Sequence, residues 1–373
     1  MSKKLLSLFL VFTIAFTTFI GTVPAFAYDG NNSSKAINEP YQYPITPTNT
    51  EEWAKLTTLA EKKEACQIPL EIAENMTTEA LIETVLSYPL LPPAALFNDP
   101  KTALDGYMDF NALSELFSRE GVPKLLIEMY SKINISKAAT NYEERTKMNG
   151  IEVLLGSNEI IEKMSDSQLD EMAKTAVKKY KEKKAVSKGF SGSSLSFFKG
   201  LDMPVQKQEK LFNNSEKVDE SQILISATGV YEYVQTPNGT DVEVYKEPNN
   251  YDGQEISYWD EWVKTNYPNT TLIASASTAY NCHSYAWYLR SYSNPYWMND
   301  PSAYMTDGSY TAVSGSIRQN DKIYYDGEHS GIVYTANNTT LENSIIESKW
   351  GSLGVVRHKV YDSPYTSDGY FFR

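Results

Sequence analysis

The pattern of apolar residues changes once along this 373-residue chain, and that change limits the possible folds more than any other feature. Between residues 51 and 185, apolar side chains recur at the three- and four-residue spacing of amphipathic helices, as in MTTEALIETVLSY. Beyond residue 221, short runs such as DKIYY and SGIVYT are typical of strands. Helices followed by antiparallel strands predict an α+β fold that begins with an all-helical domain.

Turn and capping residues divide the chain further. Ser165 and Gln168 form a capping-box sequence at the start of a helix that ends in lysines. The letters TPNG, between two strand-like runs, predict a hairpin turn. A stretch rich in serine and asparagine is typical of a linker. The sequence therefore predicts a helical domain at 51–185, a linker at 186–220 and an α+β domain at 221–373.

The N-terminus has the pattern of a secretory signal. Two lysines precede the apolar run LLSLFLVFTIAFTTFI, and an A-F-A cleavage site follows. An anchoring helix is the alternative, which the polar residues of the run disfavour. We expect residues 1–27 to be removed and 28–50 to be flexible. Because no later stretch is apolar for long enough to span a membrane, we expect a secreted, extracellular protein, with association to the cell wall left open.

Composition and charge exclude several function classes. Loss of Lys3 and Lys4 with the signal takes the formal net charge from −13 to −15, which gives no long-range attraction to nucleic acid. The 27 tyrosines and 6 tryptophans could stack on sugars. No histidine pair at helical spacing, calcium-loop pattern or phosphate-binding glycine loop is present in the sequence, so we predict neither metal nor cofactor.

The two cysteines, Cys66 and Cys282, could form a disulfide or remain free. In NCHSYAW, Asn281 is a candidate N-cap that places Cys282 in the first turn of a helix, where the dipole favours a thiolate and free N–H groups can hold an oxyanion. Of the three histidines, His283 directly follows Cys282. Because adjacent residues on a helix do not face each other, its ring is poorly directed toward the thiol. The sequence therefore favours His329, at the mouth of an apolar strand, as the base and Glu347 as the residue that orients it.

These motifs, in this order, resemble the CHAP and NlpC-type papain-like superfamily of cysteine amidohydrolases and peptidases. The resemblance covers the chain from about residue 223 onward and is carried by NCHSYAW, QNDKIYY, EHSGIV and IIESKW. It implies a papain-like α+β domain with Cys282 as nucleophile, His329 as general base and Glu347 as orienting residue. The chain departs from the family pattern at Asn320, where glycine is usual, and either Ser348 or His358 could replace Glu347.

The resemblance implies a secreted thiol amidase or peptidase that hydrolyses amide bonds, with cell-wall peptides as substrate. Asn281 could add a side-chain amide to the oxyanion site. The alternatives are an inactive extracellular binding module of the same fold, a disulfide-stapled structural protein and a transglutaminase-like acyl transferase. The helical domain could gate the cleft, bind a protein partner or act as a spacer.

Overall fold

The computed structural model describes residues 36–97, 103–186, 230–247 and 250–373, and Ala36 to Arg373 form one compact unit. The predicted signal lies outside the described residues, as does the predicted linker from residue 187 onward. Within the described part, no helix is long and apolar enough to cross a membrane. Helices come first and antiparallel strands second, which confirms the α+β fold class.

Helices form the first half of the described chain, which we call the helical part. The helix start predicted at Ser165 is capped as expected, because Gln168 N–H donates to the Ser165 hydroxyl. Thr58 and Glu61 form a further, reciprocal capping box. The α-helices are α1 Thr50–Trp53, α2 Leu59–Ala65, α3 Leu70–Asn75, α4 Thr78–Leu86, α5 Asn111–Ser118, α6 Val122–Lys132, α7 Ile135–Ala138, α8 Tyr142–Leu155, α9 Asn158–Ile161 and α10 Asp166–Val186. Single 3₁₀ turns lie at Ala94–Leu96 and Asp105–Tyr107.

The segment before α1 is bound to the helices where the sequence predicted flexibility. Ile37 pairs with the chain at Met76, and its carbonyl accepts the N–H of Thr77 at 2.8 Å. Tyr41 N–H donates to the Thr84 hydroxyl at 2.9 Å. The polar composition of residues 28–50 could not predict these contacts, because backbone hydrogen bonds can be made by any residue type except at the proline nitrogen.

The second half contains a hairpin, one long helix and a six-stranded sheet. Gly239, with φ of +86°, provides the backbone conformation that the predicted hairpin turn requires. The elements are β1 Val230–Gln235, β2 Asp241–Lys246, α11 Gly253–Asn266, β3 Thr271–Ala274, α12 Ser302–Thr306, β4 Lys322–Tyr325, β5 His329–Thr335, β6 Ile345–Lys349, β7 Val355–Lys359 and β8 Gly369–Phe372. β1 pairs with β2, and the larger sheet has the antiparallel order β3-β7-β6-β5-β4-β8.

Different parts of the chain cover the two faces of the larger sheet. On one face, Ile332 packs with Tyr285 of a short helix at residues 282–288. On the other face, Val356 and Trp350 belong to the same buried cluster as the helices of the first half. The predicted helical and α+β domains therefore share one core, which the apolar pattern of each half alone could not reveal.

Candidate functional site

Cys282 begins the short helix, as the sequence predicts. Asn281 caps it, because the Asn281 side-chain oxygen accepts the Ser284 N–H at 3.1 Å. After His283 the helix widens into a π-helical turn, Ser284–Tyr288, a geometry that recurs at functional sites. The Asn281 amide also donates to the Met298 carbonyl at 2.6 Å. This bond ties the side chain to the protein backbone, so the amide serves as a helix cap and anchor in place of the predicted oxyanion contact.

The Cys282 thiol is nearly sealed from solvent, with 2% of the residue exposed. Burial raises the pKa of this thiol to about 12, although hydrogen bonds from the backbone N–H groups of Ser330 and His283 and the nearby Lys349 act in the opposite direction. The sequence argument required a lowered pKa. In this closed arrangement the loss of water outweighs the polar groups that favour a thiolate.

His329 lies at the start of β5, as predicted, and is completely buried. Its ring stacks on Tyr365 with centroids 3.5 Å apart and planes within 10°. Within the described part of the chain, neither ring nitrogen has a hydrogen-bond partner. Burial lowers its pKa well below the usual range, and electrostatic interactions with His358 and His283 add to that shift. The imidazole is therefore neutral, and both its nitrogens are unused.

The structure does not bring Glu347 to His329. Glu347 is paired with Ile332 across β5 and β6, so its side chain shares the sheet face of Ile332. His329 is three positions before Ile332 and faces the opposite side. Glu347 instead accepts hydrogen bonds from Tyr285 at 2.8 Å, Arg290 at 2.9 Å and Arg357 at 2.8 Å. Burial alone would raise its pKa, but these three partners lower it. The orienting role predicted for Glu347 is therefore corrected to an ion-pair role.

The two alternative third residues do share the face of His329, but they are engaged with each other. The Ser348 hydroxyl lies 2.8 Å from His358 Nε2, and Trp350 Nε1 donates to the same hydroxyl at 3.1 Å. His358 Nδ1 lies 2.7 Å from the Lys359 carbonyl oxygen. Because a carbonyl only accepts, Nδ1 carries the proton and both nitrogens of His358 are used. This geometry is that of a satisfied core histidine.

Three contributors to the site were not identified from the sequence: Ser330, Lys349 and Tyr365. The Ser330 hydroxyl lies 2.7 Å from His283 Nδ1, while His283 Nε2 has no partner in the described part of the chain. The buried Lys349 amine donates to the carbonyls of Ser277 at 2.8 Å and Gly351 at 2.7 Å. Burial lowers its pKa well below the usual range, and the nearby Cys282 acts in the opposite direction. The only sequence signal for Lys349 was its position directly after Ser348. Its burial could not be predicted, because it depends on the strand register.

Two sequence questions have structural answers. Asn320, which stands where the superfamily that the sequence resembles usually has glycine, adopts a φ of +72°, so the turn into β4 has the conformation that glycine would provide. Both cysteines are free, so the structure has no Cys66–Cys282 disulfide.

Comparison with protein-family models, with curated proteins and with solved structures finds no match to this chain.

Proposed function

We propose that this protein is a secreted thiol hydrolase of amide bonds, with a papain-like second half in which Cys282 is the nucleophile and His329 is the general base. The observation that carries the proposal is the surroundings of the Cys282 sulfur. It lies at the start of a capped helix, beside N–H groups of Ser330 and His283. His283, the residue after Cys282, and His329, at the start of β5, have unpartnered ring nitrogens within the described chain. Cell-wall peptides are the substrate class that the family resemblance suggests.

The reaction would proceed by acyl transfer to water. His329 takes the thiol proton while the sulfur bonds to the amide carbon, and the carbonyl electrons move to oxygen. The C–N bond then breaks, and the amine leaves with the proton from His329. Water attacks the thioester carbon and gives its proton to His329, and the carboxylic acid leaves as the thiol is restored. His283, oriented by Ser330, is the competing base.

A mass-spectrometric assay tests the proposal. Cell-wall peptides are incubated in ¹⁸O-labelled water with the full chain, and each product is weighed. Hydrolysis puts one ¹⁸O atom into a new carboxylate, whereas transglutaminase-like chemistry would attach an added amine. We expect Cys282→Ala to abolish the product and Cys66→Ala, at the other buried cysteine, to retain it. His329→Asn and His283→Asn identify the base. The assay is run without urea and again at a urea concentration low enough that Cys66 is not alkylated. The proposal would be refuted if neither condition gives a product that depends on Cys282.

A binding module of the same fold is the second candidate. Tyr231 and Tyr233, on the solvent face of the hairpin, are 58% and 66% exposed, and such rings can stack on sugars. Burial raises the pKa of both the Cys282 and the Cys66 thiols to about 12, as expected for unreactive buried cysteines. This candidate would be favoured if the wild-type protein binds insoluble cell wall without hydrolysing it, and if the double variant Tyr231→Ser with Tyr233→Ser no longer binds.

A further inference from the structure

Two segments of the second half lie directly beside the proposed site. The first is the turn at residues 350–354, whose Gly351 carbonyl accepts the Lys349 amine. The second, which we call the Tyr365 loop, comprises residues 361–367. Tyr365 stacks on the ring of His329, so this side chain covers one face of the proposed base.

The helical part holds both segments through residues 94–97 and 103–107, which we call the cover. The Ala95 carbonyl accepts the Ser352 N–H at 2.9 Å and its hydroxyl at 3.0 Å. The Leu96 carbonyl accepts the Tyr365 hydroxyl at 3.3 Å, and Tyr107 donates to the Pro364 carbonyl at 2.7 Å. The side chain that stacks on His329 is therefore itself bound by the helical part.

Helix α2 fixes the other end of the Tyr365 loop. Leu59 N–H donates to the Tyr361 carbonyl at 2.8 Å, and Lys62 forms a buried ion pair with Asp362 at 2.5 Å. Glu328, next to His329, instead accepts the Ser367 N–H at 2.8 Å from within the second half. The loop is thus attached to the sheet at one end and to the helical part along the rest.

We propose that the cover is a built-in inhibitory element of the helical part, and that the Cys282 site opens when residues 94–97 and 103–107 separate from the Tyr365 loop. This inference rests on the proposed function. The geometry behind it is the burial of both reacting residues, with Cys282 2% and His329 0% exposed, together with the stacking of Tyr365 on His329 in a loop that the helical part binds. Admission of water would leave the N–H groups and Lys349 to favour the thiolate.

A small wedge at the contact tests this inference. An added Cβ at Gly106 would overlap the Thr366 hydroxyl and lie 2.7 Å from the Thr366 Cβ. Gly106→Ala should therefore strain the contact between the cover and the Tyr365 loop. Gly121→Ala is the matched control, since nothing lies within 4 Å of an added Cβ there. The double variant Gly106→Ala with Thr366→Gly removes the overlap. Tyr365→Phe is an independent opener, because it deletes only the hydroxyl that binds Leu96.

Alkylation by iodoacetamide, mapped by mass spectrometry, reports the opening, with Cys66 as the internal reference for unfolding. We expect Gly106→Ala to raise the ratio of Cys282 to Cys66 labelling about tenfold, the effect of ordinary overpacking strain. Gly121→Ala and the double variant should match the wild type, and Tyr365→Phe should raise the ratio by about threefold. The proposed cover would be overturned if Gly106→Ala and Tyr365→Phe both leave the ratio of Cys282 to Cys66 labelling unchanged, or if both variants label the two cysteines together. A raised Cys282 ratio without Cys282-dependent hydrolysis would support the cover and refute the proposed function.

Discussion

Acidification should destabilise this protein through His358 by an amount that follows from its surroundings. Burial lowers the pKa of this histidine from 6.5 to about 4, against a smaller opposing effect of the Lys359 carbonyl. The folded protein therefore excludes a proton that the unfolded chain binds between those two pH values. The stabilisation is complete above pH 6.5 and is lost as the pH falls toward 4. At about 1.4 kcal/mol per pH unit, the loss is about 2 kcal/mol at pH 5 and about 3 kcal/mol in full.

Urea unfolding followed by tryptophan fluorescence at pH 7 and pH 5 measures this loss. His358→Asn is the comparison variant, because its amide does not titrate and can still donate toward the Lys359 carbonyl. A comparison is needed because burial raises the pKa of Glu255 to about 7, which stabilises the protein as the pH falls through the same window. We expect the wild type to lose about 2 kcal/mol more than the variant. Equal losses would refute the assignment of His358 as a neutral, buried group.

Two further substitutions test the ion pairs. Glu347→Gln should cost about 2 kcal/mol of unfolding free energy, because both arginine partners lose a charged acceptor, while the rate of Cys282 alkylation stays unchanged. A large change in that rate would restore a direct role for the carboxylate at the thiol. Lys62→Met leaves Asp362 buried without its cation and should cost about 3 to 5 kcal/mol, and adding Asp362→Leu should recover most of it. A double variant as unstable as the single one would contradict the buried pair.

Local sequence signals predicted local structure well. The helical spacing of residues 51–185 and the strand runs beyond 221 gave the α+β class, because burying one face of an element imposes its period on the sequence. The Asn281 cap and the Gly239 turn were also readable, because each depends on backbone within a few residues. The same reasoning placed His329 at the mouth of a strand.

Tertiary structure alone decided what those residues contact. Glu347 was expected beside His329, but the pairing of β5 with β6 turns it to the other face, where two arginines hold it. A shift of one residue in that register would reverse the outcome, and nothing in a strand's own sequence fixes its partner. The sequence by itself determined the elements and the candidate chemistry of Cys282. Only tertiary packing decided that this thiol is closed to solvent, because burial depends on contacts between residues far apart in the chain.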